Sequence, residues 1–182
     1  HYCSRRQRQM CIRDSPYSDH PREKYDIFLP KKQSRGTIIF LHGGFWFRTG
    51  REHWSFTAQG ILSQGWSVII PSYPQAPDVK ITQITHSISK LVNKILDDCN
   101  GSVRMIGHSA GGHLASRMIC KNFLKKNMGN HIEKVISVSG LYDLRPLLMT
   151  KLNDILKLDY EEAMRESCFL YDPIDTKLTC WV

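Results

Sequence analysis

The stretch that decides the fold is Val103-Arg104-Met105-Ile106-Gly107-His108-Ser109-Ala110-Gly111-Gly112-His113-Leu114-Ala115. A short apolar run leads into the pentapeptide G-x-S-x-G, and a helix-forming run follows it. In this order of strand, sharp turn and helix, the serine hydroxyl is presented at the carboxyl edge of a sheet. Gly107 and Gly111 flank Ser109 because a Cβ at either position would clash with the neighbouring strand and helix. Ser109 is therefore the candidate nucleophile, and a glycine turn with an idle serine is the alternative.

Length and composition fit one ordinary globular domain. The chain has 182 residues, of which 41% are hydrophobic and 23% are charged, and these values lie close to globular averages. No apolar run reaches the roughly 18 residues of a membrane span. No apolar segment follows the basic N-terminus, as it would in a signal peptide. We therefore expect no membrane partner.

The formal net charge of +8 comes from 25 basic and 17 acidic residues. Residues 1–15 contribute +3 of this charge, from four arginines against Asp14. Such an arm could contact an anionic surface, but its composition matches nothing downstream. The preferred interpretation is a disordered or non-native arm, followed by one domain over residues 16–182. We accordingly expect no nucleic-acid partner.

The six cysteines are spaced widely and irregularly. Neither a C-x-x-C pair nor a Cys/His ligand spacing occurs, and so the sequence predicts no metal site. No Gly-Lys-Ser/Thr follows Gly43 and Gly44, which excludes a P-loop at that position. Such irregular spacing favours a reduced, cytoplasmic compartment, and no cofactor is expected.

Short apolar runs alternate with helical patterns along the rest of the chain. Thr37–Leu41 is a continuous apolar, β-branched run, which is typical of a strand buried on both faces. Residues 78–98 repeat isoleucine, leucine and valine at three- and four-residue steps, which predicts an amphipathic helix. Further strands are predicted at residues 25–30 (an edge strand), 66–70, 103–106, 134–139 and 179–182, and further helices at 54–64, 112–126 and 159–165.

This alternation predicts an α/β fold with a mostly parallel, doubly wound sheet and right-handed crossovers. In such sheets the binding site forms at the carboxyl ends of the strands. Four segments that follow predicted strands should therefore meet at one edge of the sheet: residues 42–46, 71–77, 107–111 and 139–143.

His42-Gly43-Gly44 supplies the second part of the predicted site. Acyl transfer builds negative charge on the carbonyl oxygen, and backbone N–H groups held about 3 Å away stabilise it. We expect one donor from Gly43 or Gly44 and another from Ala110, the residue after the nucleophile. An ordinary turn between a strand and a helix is the alternative. His42 is expected to orient this loop rather than to act as a base.

Four aromatic side chains fall near the same edge, namely Phe45, Trp46, Tyr73 and Tyr142. Aromatic walls suit a planar substrate, which makes these residues candidate substrate contacts. The alternative is that the rings cover the core.

A serine nucleophile needs a general base, and the histidines near or after Ser109 do not fit that role. His113 follows the serine by one helical turn and is expected to pack or cap. His131 is predicted at the opposite end of the sheet, and His108 should point away from its neighbour. Asp143 could serve as the acid on geometry alone, but loop hydrogen bonding or substrate contact is the preferred role.

Three segments together resemble the kynurenine formamidase (arylformamidase) family of α/β-hydrolases: His42-Gly43-Gly44-Phe45-Trp46, residues 107–115 and residues 139–147. The resemblance extends over residues 24–182. Phe45 stands where lipase-type esterases usually carry a further glycine, which favours the formamidase side. The resemblance implies hydrolysis of N-formyl-L-kynurenine to L-kynurenine and formate in tryptophan catabolism. It also implies that Ser109 is the nucleophile, with Gly43, Gly44 and Ala110 as oxyanion donors.

In that family the triad acid follows the strand that residues 179–182 begin, and the catalytic histidine follows the next strand. We therefore expect a C-terminally incomplete α/β-hydrolase domain whose acid and base lie beyond Val182. The alternatives are a carboxylesterase of the hormone-sensitive-lipase type and a non-catalytic α/β-hydrolase-like protein. The expected partner is a small-molecule substrate, an aryl formamide or an ester, and a homodimer is an open alternative.

Overall fold

Seven strands form one sheet in the order β1-β2-β4-β3-β5-β6-β7. The computed structural model describes residues 11–99, 101–121 and 131–182. Strands β3 to β7 run parallel to one another, whereas β2 is antiparallel to both β1 and β4. The strands are β1 Cys11–Pro16, β2 Lys24–Phe28, β3 Thr37–Leu41, β4 Ser67–Pro71, β5 Val103–His108, β6 Ile132–Val138 and β7 Lys177–Trp181.

Helices connect the parallel strands and cover both faces of the sheet. The α-helices are α1 Arg51–Trp54, α2 Ala58–Ser63, α3 Ile81–Asp98, α4 Ala110–Met118, α5 Asn153–Leu156 and α6 Tyr160–Glu166. Three further segments are 3-10 helices: Ser55–Thr57, Arg145–Met149 and Cys168–Leu170. None of the helices in the described residues is long and apolar enough to cross a lipid bilayer.

The core divides into two layers because successive strand side chains point to opposite faces. Ile39 and Leu41 of β3 pack with the apolar sides of α3 and α4 in the larger layer. Phe40, between them, packs with Ala58 of α2 in the smaller layer. All five residues of β3 are buried, which confirms the prediction made from its uninterrupted apolar run.

The sequence located most elements within about two residues, and the α/β fold class is confirmed. The predicted helix at 54–64 is instead two short α-helices joined by a 3-10 turn, and Phe56 in that turn is 70% exposed. Helix α4 ends at Met118, not near residue 126, because a bridge between Cys120 and Pro173 redirects the backbone. Residues 122–126 of that predicted helix lie outside the described residues.

One expectation about the N-terminal part needs correction. Residues 25–30 were predicted to form an edge strand, but β2 lies between β1 and β4. Residues 11–15 of the arm that was interpreted as disordered or non-native belong to β1, where Ile12 pairs with Ile27 and Ser15 with Tyr25; the interpretation of the arm as a whole stays a prediction. This strand is held by main-chain pairing, for which its polar sequence gives no signal. Residues 1–10 lie outside the described residues.

Candidate active site

Ser109 stands at the carboxyl end of β5, immediately before α4. Its backbone is strained, with φ 54° and ψ −120°, in a region that residues with a Cβ seldom occupy. The Ser109 amide donates to the Val138 carbonyl oxygen at 2.8 Å, and the His113 amide donates to the Ser109 carbonyl at 3.1 Å. These bonds fix the turn between β6 and the first turn of the helix. Its side chain is half-buried, as the strand-turn-helix context predicts.

The two glycines of the turn are required by the close approach of neighbouring backbone. A Cβ placed on Gly107 would overlap the carbonyl oxygen of Gly111. A Cβ placed on Gly111 would overlap the carbonyl oxygen of Leu41 at the end of β3. The structure thus gives the physical reason for the glycines of the G-x-S-x-G sequence, and it packs this serine turn (Gly107–Gly111) directly against the end of β3.

The loop after β3, residues His42–Thr49, lies beside the serine turn and is called the glycine loop below. A Cβ built on Gly43 would lie 3.2 Å from Cβ of Ser109, which places the two predicted halves of the site in contact. No hydrogen bond within the described part of the chain uses the amide N–H of Gly43, Gly44 or Ala110. These three donors therefore remain available to a substrate oxygen.

Buried hydrogen bonds hold the glycine loop in shape. His42 Nδ1 lies 2.8 Å from the Gly43 carbonyl oxygen, which also accepts from Thr49 Oγ1 at 2.9 Å. The Tyr73 hydroxyl donates to the His42 carbonyl at 2.9 Å, and its ring stacks on the imidazole with 4.4 Å between centroids. The carbonyl oxygens of His42 and Gly43 thus accept hydrogen bonds within this region. The N–H groups of Gly43 and Gly44 donate to no acceptor among the described residues.

None of the three histidines nearest to Ser109 is placed as its base. His42 and His113 are fully buried, and burial lowers the pKa of each to about 4. His113 Nε2 lies 2.8 Å from the Glu166 carbonyl oxygen, so this nitrogen carries the proton and faces away from the serine. The His108 ring packs against Trp54, with 5.5 Å between centroids. Their placement agrees with the supporting roles predicted for His42 and His113.

The four aromatic residues predicted to contact substrate separate into two pairs. Trp46 and Tyr73 are fully buried beneath the glycine loop, where they support it. Phe45 is 43% exposed and stacks on Phe47, with 6.1 Å between centroids. Tyr142 is half-buried and donates to Ser137 Oγ at 3.0 Å, and burial raises the pKa of its hydroxyl. Phe45 and Tyr142 thus keep surface that a substrate can reach, and contact by the other two stays a prediction.

Asp143 is engaged by its own loop. Arg145 Nε and Nη2 donate to its two carboxylate oxygens at 2.9 and 2.8 Å, and the Ser167 hydroxyl lies 3.3 Å from one of them. The hydrogen bonds from Arg145 lower the pKa of Asp143 to about 2. The bidentate pair fixes the loop after β6, in agreement with the preferred role in loop hydrogen bonding.

Strained backbone concentrates at this edge of the sheet. Of the seven non-glycine residues with positive φ in the described residues, five follow β3, β5 or β6: Phe45, Trp46, Thr49, Ser109 and Ser139. Four buried side-chain nitrogens without a hydrogen-bond partner among the described residues also lie here, on His42, Trp46, His108 and His113. Each such feature costs on the order of 1–3 kcal/mol. Costs of this kind recur at functional sites.

A buried charged cluster behind the site was missed by sequence reasoning. Arg117 of α4 and Glu166 of α6 are fully buried and lie 3.5 Å apart, and Thr85 of α3 donates to the same carboxylate at 2.9 Å. The cluster joins three helices on one face of the sheet. The spacing of Glu162 and Glu166, both buried on α6, was the available signal, because charges four apart on a helix share one side.

Comparison with known proteins points to hydrolases. Residues 25–168 match the family model described as BD-FAE. The kynurenine formamidase of Danio rerio is 31% identical over 162 residues, which cover 86% of this chain and 55% of that protein. The kynurenine formamidase of Salmo salar is 32% identical over 84% of this chain and 53% of its own length. The chain spans about half the length of these curated relatives.

A solved structure agrees in both sequence and fold. A protein of Silicibacter sp. TM1040, described as a candidate thioesterase, superposes with a TM-score of 0.93 at 38% identity. The match covers 97% of this chain and 68% of that one. The fold of this chain therefore agrees with that of a solved structure over nearly its whole length.

Proposed function

Because this chain belongs to the BD-FAE family, we propose that it carries the nucleophile and oxyanion half of a serine hydrolase that acts on aryl formamides. The substrate proposed from the 31% identity to kynurenine formamidase is N-formyl-L-kynurenine. The products would be L-kynurenine and formate, in tryptophan catabolism. A reduced, cytoplasmic setting is part of the same proposal.

One observation supports this proposal most strongly: the 3.2 Å approach of a Cβ built on Gly43 to Cβ of Ser109. This contact between the glycine loop and the serine turn supports an oxyanion role for the glycine amides, because an acyl carbonyl bound at Ser109 would lie next to the glycine loop. Attack by Ser109 Oγ on the formyl carbon would place the oxyanion within reach of the N–H groups of Gly43, Gly44 and Ala110. The N-terminus of α4 adds a favourable dipole at the same point.

The remaining steps follow from the chemistry of an acylated serine. The C–N bond of the formamide breaks, and the proton from the Ser109 hydroxyl passes to the departing aryl amine. Water then attacks the formyl ester, which releases formate and restores the hydroxyl. The exposed face of Phe45 suits the aromatic ring of the leaving group.

The second candidate is an esterase or thioesterase, which the 38% identity to the Silicibacter protein favours. The site would use the same serine and the same amides, and only the leaving group would differ. A non-catalytic member of the fold is the third alternative.

The deciding experiment compares kcat/KM of the whole natural protein for N-formyl-L-kynurenine, phenyl acetate and a short acyl thioester. We expect the formamide to be preferred by at least 10-fold. A comparable preference for the ester or the thioester would replace the first proposal with the second. Absence of fluorophosphonate labelling in the folded protein would favour the non-catalytic alternative.

A further inference from the structure

His113 lies between the serine turn and the glycine loop, although it touches neither the hydroxyl of Ser109 nor the glycine amides. It stands one turn into α4, and its backbone N–H donates to the Ser109 carbonyl at 3.1 Å. Its imidazole is fully buried. His113 therefore belongs to the helical turn that begins at Ser109, and its imidazole can contact other segments of the chain.

One side of the imidazole is anchored to α6. Nε2 donates to the Glu166 carbonyl oxygen at 2.8 Å. The Glu166 residue is itself held, because its carboxylate accepts from Thr85 and lies 3.5 Å from Arg117 Nε. Burial lowers the pKa of His113 to about 4, so the ring is neutral near pH 7 and keeps this single orientation.

The other side of the imidazole meets the glycine loop. The Trp46 indole contacts the ring edge-on, with 5.3 Å between centroids and 77° between planes. Trp46 follows Gly44 by two residues and has a strained φ of 62°. Its main-chain carbonyl is held by the Ala76 amide at 3.1 Å. The side chain is thus wedged between the loop that carries it and the imidazole.

This contact is retained at an energetic cost. Neither Trp46 Nε1 nor His113 Nδ1 has a hydrogen-bond partner among the described residues, and a buried polar atom without a partner destabilises the folded state. Apolar side chains of similar size would avoid that cost. Strained loops and unsatisfied polar groups are concentrated at functional sites, where a precise arrangement is kept although it lowers stability. The contact between Trp46 and His113 fits this pattern.

We propose that His113 is a positioning residue that sets the glycine loop against Ser109: Nε2 is pinned to α6, and the ring edge fixes Trp46 and therefore the amides of Gly43 and Gly44. This inference rests on the proposed oxyanion role of those two amides. His113 acts through Trp46 and exchanges no proton with the substrate.

The test uses His113→Ala, His113→Phe and Met118→Ala in the whole natural protein. His113→Ala removes both links, and we expect kcat for phenyl acetate to fall at least 10-fold while KM changes less than 3-fold. His113→Phe restores a ring against Trp46, and we expect it to recover at least half of the lost rate. Met118→Ala truncates a fully buried residue at the other end of the same helix, and it controls for loss of stability.

All rates are divided by the folded fraction, measured by circular dichroism at the assay temperature. The inference is overturned if His113→Ala loses no more kcat than Met118→Ala, if its effect falls on KM alone, or if His113→Phe is as slow as His113→Ala. The rate constant for fluorophosphonate labelling of Ser109 gives a second readout that needs no substrate. If the natural protein hydrolyses phenyl acetate but not the formamide, the proposed substrate fails and the His113 comparison still decides this inference.

Discussion

Ser109 and Ser139 occupy equivalent places on neighbouring strands, and the comparison between them separates conformation from reactivity. Both follow a parallel strand, and both have a left-handed backbone, with φ 54° and 50°. Each amide donates to the next strand: Ser109 to the Val138 carbonyl at 2.8 Å, and Ser139 to the Trp181 carbonyl at 2.6 Å. A serine with positive φ thus directly follows two neighbouring parallel strands, β5 and β6.

The surroundings of the two serines differ. Ser109 begins the nine-residue helix α4 and has the glycine loop in contact with it. Ser139 is exposed, and the chain after it continues through Gly140 to the loop held by Asp143 and Arg145. A helix N-terminus and unused amides can stabilise a developing oxyanion, and only the first serine has both nearby. A strained serine therefore becomes a candidate nucleophile through its neighbours.

The largest expected effect comes from removing each hydroxyl in turn. Ser109→Ala should lower kcat and the rate of fluorophosphonate labelling by at least about 10³-fold, because loss of a nucleophile disables the whole catalytic unit. Ser139→Ala should change both quantities by less than about 3-fold. If folded Ser109→Ala and Ser139→Ala proteins lost activity equally, the assignment of Ser109 rather than Ser139 as the nucleophile would be contradicted.

The next largest expected effect is a loss of stability when the tight packing of the serine turn against the end of β3 is disturbed. Gly111→Ala places a methyl group on the Leu41 carbonyl, and we expect it to destabilise the fold by about 3 kcal/mol, near the upper end for overpacking. Urea denaturation measures this change. Gly60→Ala in α2 is the control, because a Cβ there meets nothing within 4 Å. It should stabilise the protein by about 0.5–1 kcal/mol, since alanine is the better helix former. Equal free energies of unfolding for the two variants would contradict the packing argument.

The smallest expected effect is on how the free energy of unfolding depends on pH. It should differ between the helix that follows Ser109 and the loop that follows Ser139. Burial lowers the pKa of His113 from 6.5 to about 4, so between these values the unfolded chain binds more protons than the folded one. Stability is therefore full above about pH 6.5 and falls towards pH 4, by about 2 kcal/mol at pH 5 for this residue. Between pH 7 and pH 5, the free energy of unfolding of His113→Phe should therefore fall by about 2 kcal/mol less than that of the natural protein. Denaturation at the two pH values measures this difference.

The loop that follows Ser139 contains Asp143, whose contribution to stability changes over a more acidic pH range. Hydrogen bonds from Arg145 lower the pKa of Asp143 from 3.8 to about 2. Its contribution is present above about pH 3.8 and is lost as the pH falls towards 2. Arg145→Leu should therefore destabilise the fold more at pH 5 than at pH 3, because the carboxylate that the guanidinium stabilises becomes protonated as the pH falls. An equal effect of this variant at pH 5 and pH 3 would contradict the assignment.

The residues show why sequence reasoning succeeded in some places and failed in others. Thr37–Leu41 was predicted with correct bounds because burial on both faces leaves a local trace, an unbroken apolar run. The contact of the glycine loop with the serine turn followed from topology, since adjacent parallel strands end at one edge. Trp46 and Tyr73 were candidate substrate contacts, with covering of the core as the alternative, and both are fully buried beneath the glycine loop. The direction of a loop side chain depends on strained φ values that no pattern encodes.

The cluster around Glu166 was missed for a related reason. A glutamate in a short helix is ordinarily solvated, and its burial here depends on Thr85 and Arg117, which lie 81 and 49 residues earlier in the chain. Thr49 was missed as well: its hydroxyl holds the Gly43 carbonyl, and nothing in its local sequence distinguishes it from other loop threonines. The spacing of Glu162 and Glu166 indicates a shared side of the helix, but the local sequence does not show which distant residues that side contacts.

The overlap that a Cβ on Gly111 would make with the Leu41 carbonyl has a consequence for how the site is assembled during folding. The left-handed conformation of Ser109 is unfavourable in an isolated segment, and it becomes fixed only when β3 and β5 have paired and α4 has docked on them. Residues 107–111 should therefore order late, after the nucleus of the sheet has formed. A nascent or partly folded chain would then lack the proposed site, because Ser109 and the glycine loop come together only when the native sheet is complete.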